Sequence, residues 1–170
     1  ESGWTSLDNI KLFAAGATLT ADRTINSLNM QNATARTLTG DTGTTLVIGS
    51  GGLITSGGAH TISVPFLTAG AGSNYELYDI AWSSNVIFSD ITDNGANPVS
   101  LVKTGSGITS FRTGNSYTGT TYINEGIFRG VIGALGTSLG TGNLVCGGSP
   151  NSTAAYETDG DFTRAIATGI

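Results

Sequence analysis

The segment "LVKTGSGITSFRTGNSYTGTTYINEGIF", Leu101 to Phe128, decides the fold. It holds five glycines and six threonines, and its apolar residues stand singly or in pairs between small polar ones. A helix needs apolar residues at i, i+3, i+4 and i+7 on a helix-forming background, and glycine interrupts that pattern throughout. The punctuation is that of short strands rich in Thr, Ile, Tyr and Phe, each closed by Gly, Asn or Asp.

The same texture extends outward. "TTLVIGSGGLITSGGAHTISV", Thr44 to Val64, reads strand, Gly turn, strand, Gly turn, strand, with apolar centres at Leu46–Ile48, Leu53–Ile54 and Ile62–Val64. In "TLTADRTINSLNM", Thr18 to Met30, Ile25, Ser27 and Asn29 alternate with Asn26, Leu28 and Met30. The step from Ile48 to Ile62 nearly equals the step from Ile108 to Ile123. Many strands are separated by only a few small residues, which suits corners where the chain turns without reversing. Glycine supplies positive φ at such corners, and Asn tolerates it. The expected fold is all-β: a parallel β-helix (β-solenoid) of short strands with Gly and Asn corners, whose stacked coils share one thin core. The segment Ser73–Ile91, denser in aromatics and acids, is expected to be a longer coil or a loop on the flank. No linker divides residues 1–170, which read as one solenoid segment.

Composition supports this reading and narrows function. Gly and Thr number 26 each, Ser 17 and Asn 12, together 81 of 170 residues. Charged residues make up 11%, against a usual ~25%. Low charge with 38% hydrophobic residues separates the chain from disordered sequences. The seven basic residues are never adjacent and the net charge is −5, so nucleic acid is not an expected partner. The single Cys146 cannot form an internal disulfide, so stability must come from backbone ladders and stacked side chains. No apolar run approaches the ~18 residues of a membrane helix, and membrane insertion by this segment is not expected. The chain starts at Glu1 without Met and shows no signal peptide, which reads as a processed or excised part of a longer product.

Leu101 to Gly142 resembles the autotransporter-associated β-strand repeat of bacterial surface proteins. That repeat has a Gly-x-Gly step, then Asn-x-Tyr-x-Gly-x-Thr-x-Ile-Asn-x-Gly, and often an Ala-Leu-Gly step. Here these are Gly105 and Gly107, then Asn115, Tyr117, Gly119, Thr121, Ile123, Asn124 and Gly126, then Ala134, Leu135 and Gly136. Phe111 and Phe128 stand where Leu is more usual. "FTRAIATGI", Phe162 to Ile170, looks like the start of a further repeat. The resemblance implies a right-handed parallel β-helix carried outside the cell or on the outer surface of a bacterium. It implies no single activity. Its expected partners are further repeats of the same chain or other copies docked head to tail.

Chemistry-bearing candidates are few. "GTSLG", Gly136 to Gly140, matches G-x-S-x-G around Ser138, but a nucleophile elbow needs a following helix and a nearby His and acid. Ser138 is therefore expected at a corner, and His60, the only histidine, at a surface coil position. One His and one Cys make no zinc site, and "GSGGLITSGG" has the glycines of a calcium nonapeptide without its Asp, so no metal or cofactor is expected. Glu76, Asp79, Asp90 and Asp93 are the densest acids, and paired carboxylates beside a groove are the requirement for glycoside hydrolysis. Their spacing repeats no catalytic pattern, and structural or solvating roles are expected. The Thr-x-Thr pairs Thr18/Thr20, Thr37/Thr39 and Thr42/Thr44 fall at irregular intervals and read as strand ladders. Tyr75, Tyr78 and Trp82 are the candidates for carbohydrate contact, and surface glycans the partners this implies. "NAT" at Asn32 and "NST" at Asn151 fit glycosylation sequons. The leading expectation is a non-enzymatic structural segment acting as surface stalk, coat or fibre with adhesive capacity. The alternatives are a carbohydrate-active or carbohydrate-binding β-helix and a head-to-tail filament subunit.

Overall fold

The computed structural model describes residues 3–130, 138–147 and 153–158. The chain winds as a coil and lays down strands on successive faces. The first circuit gives β1 (Asn9–Lys11), β2 (Gly16–Leu19) and β3 (Arg23–Ile25), and the second β4 (Ser27–Asn32), β5 (Thr37–Gly40) and β6 (Thr45–Ile48). The third gives β7 (Gly52–Gly57), β8 (His60–Ser63) and β9 (Phe66–Ala69). After a 3-10 turn at Ala71–Ser73, the fourth gives β10 (Glu76–Ala81), β11 (Asn85–Ile87) and β12 (Asp90–Ile91). Among the described residues, three further circuits carry two strands each: β13 (Ser100–Thr104) and β14 (Ile108–Phe111), β15 (Thr121–Ile123) and β16 (Ile127–Gly130), β17 (Leu144–Cys146) and β18 (Ala155–Thr158).

These strands form three sheets. The first face is β1-β4-β7-β10-β13-β15-β17, the second β2-β5-β8-β11-β14-β16-β18, and the third β3-β6-β9-β12. Pairing between circuits is parallel, as between β13 and β15, and the fold is the β-solenoid expected. Parallel neighbours cannot be joined by a two-residue hairpin, and here the rest of a circuit joins them. Ser73–Ile91 spans most of one circuit of the stack. The steps from Ile48 to Ile62 and from Ile108 to Ile123 fall short of a circuit, because each links strands on different faces. Register partners stack as Ile10, Leu28, Leu53, Asp79, Lys103, Ile123 and Cys146. Circuit length therefore varies along the stack: Leu53 to Asp79 and Ile127 to Ala155 are long circuits, and Ile10 to Leu28 is a short one.

Alternation puts every second side chain inside. Leu77, Leu101, Thr121 and Leu144 stack in one interior column, and Leu38, Ile62, Ile87 and Phe111 in another. Each such Leu or Ile, withdrawn from water, contributes roughly 1.5–3 kcal/mol. Ile25, Leu28 and Met30 all lie inside. The alternation read through Asn26 would have split them, but β3 ends at Ile25 and β4 begins at Ser27, so the corner at Asn26 resets the parity. Phe111 and Phe128 stack with ring centroids 4.2 Å apart.

The repeat motif explains why, among the described residues, the third face carries no strand after β12. Asn115 is buried; its Oδ1 accepts from Ile91 N–H at 2.9 Å, and its amide donates to the Ser138 carbonyl one circuit further on. One side chain thus replaces a ladder step on both sides. The Ser116 and Tyr117 N–H groups donate to Ile91 O. Tyr117 is buried, and its hydroxyl is 2.5 Å from that of Thr121, which keeps both polar groups satisfied in the core. Gly126 has φ +72°, and a Cβ there would collide with Gly105 O, so both conformation and space demand glycine. Ala134–Gly136 and Phe162–Ile170 lie outside the described residues.

Candidate functional site

The four clustered acids separate into different roles. Asp90 Oδ1 accepts from Ser116 N–H at 2.9 Å, and the Ser116 hydroxyl donates to both of its oxygens. Burial pushes the Asp90 carboxyl up, and the Ser116 bonds offset only part of this. Asp93 accepts from Val99 N–H, Thr118 N–H and the Thr118 hydroxyl at 2.7–2.9 Å. Partial burial alone would raise Asp93, but these bonds outweigh it and hold the carboxyl below its ordinary range. Together the two acids clamp Ser116–Thr118, the segment that runs where the third sheet has ended. Both acids act as tie points for that segment.

Asp79 is different. It points into the interior from β10 and is buried, directly in register with buried Lys103 on β13. Neither carboxylate oxygen has a hydrogen-bond partner, and nor do Asn85 Oδ1 and Thr109 Oγ1. Asn85 and Thr109 are register partners on the adjoining face. The Lys103 ammonium spends its protons elsewhere, donating to the carbonyls of Thr104, Gly105 and Glu125 at 2.9–3.3 Å. It thereby ties the corner of one circuit to the next, and a Cβ on Gly126 would sit 3.0 Å from Nζ. Burial pushes Asp79 up, with the Lys103 charge and the Thr109 hydroxyl opposing it; burial pushes Lys103 down, with Asp79 and Glu125 opposing. Sequence reading gave Asp79 the same structural or solvating role as Glu76, Asp90 and Asp93, because nothing in the sequence marks which side of β10 it takes. The in-register Lys103 is visible only once the circuit length is known.

His60 corrects the surface expectation. It is buried: Nδ1 accepts from Arg36 N–H at 3.1 Å, and Nε2 is 2.9 Å from the Ser56 carbonyl. The donor assignment follows, with Nε2–H as the donor. Both ring nitrogens are consumed by backbone, which fixes a corner and leaves no free base. Ser138 sits at a turn, as expected, and is buried. It lies three circuits from His60, and its hydroxyl is 3.4 Å from that of Tyr156. The half-buried Cys146 thiol is pushed up by burial, which disfavours the nucleophilic thiolate. Among the described residues no three His, Cys, Asp or Glu side chains converge to hold a metal ion.

The three aromatic candidates divide. Tyr75 has φ +61°, uncommon for a bulky residue, and packs against the hydrophobic core, where burial holds the strained turn that opens β10. Tyr78 lies on the outward side of the first face, and Trp82, just past β10, shares its parity and is 56% exposed. The structure adds residues that sequence reading did not select. Tyr78, Val102, Tyr122 and Val145 form one outward column, and Ile54 and Ile80 stand beside it. Val102 faces outward yet is only 8% exposed, covered between two tyrosines. The Tyr78 hydroxyl donates to the Glu76 carboxylate two residues back on the same face, which lays the ring along the strand. That bond, desolvation and the Glu76 charge push the Tyr78 phenol up, so it remains a neutral ring. Among the outward positions of the first-face strands, only Lys11 and Glu76 carry charge.

Comparison of the chain with family models, with curated proteins and with solved structures gives no match. The geometry therefore supplies the functional argument: a stack closed inside by backbone ladders and buried polar ties, and a flat, weakly charged, partly aromatic surface outside. The Asn32 sequon lies at the end of β4, where Asn32 Oδ1 accepts from Thr34 N–H at 2.9 Å. The Asn151 sequon lies outside the described residues.

Proposed function

We propose that this chain is a non-enzymatic structural segment of a bacterial surface protein, a stalk, coat or fibre whose work is reach, rigidity and display. The observation that carries the reading is the disposition of polar side chains. Asp90, Asp93, Asn115, His60 and Lys103 each bond backbone of another part of the stack, and so tie circuit to circuit. Groups poised for catalysis need a partner constellation beside an open cleft, and these are spent on the fold. The resemblance of Leu101–Gly142 to the autotransporter-associated repeat supports an outer-surface location. Stacked circuits of this kind continue into further repeats or dock head to tail, which makes fibres.

The test has two arms. An epitope placed at the exposed Asn94–Asn97 turn should be removed by protease from intact cells of the source organism, and full retention inside the cell would overturn the location. A hydrolase screen on glycans and esters should be blank. Turnover abolished by Asp90→Asn or Ser138→Ala would overturn the non-enzymatic reading.

A further inference from the structure

We propose that the outward side of the first face is a binding platform for a neutral, extended polysaccharide of β-linked pyranoses, with Tyr78 and Tyr122 as its two stacking rings. Three observations carry this. The rings stand in one column, separated by the single outward residue Val102. Two inter-strand steps part them, ~9.5 Å at the usual strand separation. A ribbon-like β-linked glycan presents the same ring face at every second sugar, close to this interval, so alternate sugars meet successive tyrosines along the solenoid axis.

The second observation is chemical. Pyranoses with equatorial hydroxyls have an apolar C–H face and a polar rim. The platform has the complementary form: a flat aromatic and aliphatic centre, with Ser100, Thr104 and Asn124 on neighbouring positions to hydrogen-bond the rim. The third is charge. The centre carries none, and Glu76 is engaged by Tyr78, so neither a polyanion nor a polycation finds its complement there. The second face differs, with Arg112, Arg129 and Glu157 in its later circuits. Trp82, exposed on the same parity, extends the platform just past the end of β10.

The experiment titrates the full chain with cellohexaose, xylohexaose and chitohexaose, using maltohexaose and oligogalacturonate as controls, and follows binding by calorimetry and NMR. At least one neutral β-linked hexaose should bind, and the corresponding disaccharide, too short to reach both rings, should bind more weakly. Tyr78→Ala and Tyr122→Ala should each weaken the hexaose about tenfold. Tyr122→Leu keeps apolar cover over Val102, so it should melt as the parent does while binding as weakly as Tyr122→Ala. Phe88→Ala, outside this face, should bind as the parent does. Three results would overturn the proposal: no neutral hexaose binding in the millimolar range, parent-like binding by both tyrosine variants, or sedimentation showing a self-associated chain that Tyr122→Ala dissociates. The last would assign the face to a second copy.

Discussion

Replacing Lys103 and Asp79 singly and together tests the polar interior most directly. Lys103→Met removes three hydrogen bonds to the carbonyls of Thr104, Gly105 and Glu125 and the only register-partner cation beside buried Asp79. Losing three hydrogen bonds from a buried ammonium, which leaves their carbonyls unpaired and Asp79 without a nearby cation, costs ~3–5 kcal/mol. Asp79→Asn behaves differently. The carboxylate has no bond of good geometry to lose, and an asparagine keeps an oxygen toward the Thr109 hydroxyl while adding an amide donor in its place. Its expected cost is within ~1 kcal/mol of zero. The double variant should cost ~1–2 kcal/mol less than the sum of the singles, because Lys103→Met no longer strands a carboxyl. Urea unfolding followed by circular dichroism measures all three. The pH dependence supplies an independent sign. Asp79 is raised above its ordinary 3.8, so its contribution is complete below that value and is lost as pH rises through the higher folded value. Asp79→Asn should therefore match the parent near its ordinary value and gain on it toward neutrality. Equal costs for the singles with strict additivity, or a flat pH difference, would refute the account of this pair.

Three further outcomes follow from the same geometry. Gly126→Val and Gly119→Val should each destabilise by more than ~1 kcal/mol in thermal unfolding, since a Cβ would collide with a carbonyl oxygen in both; unchanged melting of either would contradict the close approach. Asp93→Asn should lower stability at neutral pH, with the difference vanishing as pH falls through the depressed Asp93 value, below 3.8; a constant difference down to acid would mean the carboxylate charge is irrelevant. His60→Ala should destabilise by ~2 kcal/mol, since it leaves Arg36 N–H and the Ser56 carbonyl without partners, and should change no glycan affinity; an affinity loss at unchanged melting temperature would give His60 a role in binding.

The fold was legible because its rules are local. Gly105, Gly119 and Gly126 mark corners and close approaches, and Ile123 and Phe128 mark the inward side of strands. Circuit length was not legible, because the corners vary: the circuit from Leu53 to Asp79 is much longer than the one from Ile10 to Leu28. Every property that depends on which residues stack then stayed hidden. Lys103 reads as a surface charge until its partner in the previous circuit is known to be Asp79. His60 reads as a surface residue beside a glycine turn until the backbone groups of Arg36 and Ser56 close on its ring. Tyr122 reads as one more strand residue until Tyr78 lies two circuits before it.

The same alternation separates what the protein is from what it can touch. On β10, Leu77, Asp79 and Ala81 are buried while Glu76, Tyr78 and Ile80 face outward, so neighbours in sequence serve different solvents. A change at Tyr78 removes little from the core, and a change at Asp79 removes nothing from the surface. The Asn-x-Tyr-x-Gly-x-Thr-x-Ile motif lies wholly on inward and corner positions: Asn115, Tyr117, Thr121 and Ile123 are buried, and Gly119 presses on Val99 O. A motif so placed specifies the stack and is silent on the ligand. On the proposed platform, specificity is carried by outward positions such as Tyr78, Val102 and Tyr122, which the motif leaves open. It follows that substitutions along the outward column should change affinity at constant melting temperature, while substitutions within the motif should change melting temperature first and affinity only through loss of the fold.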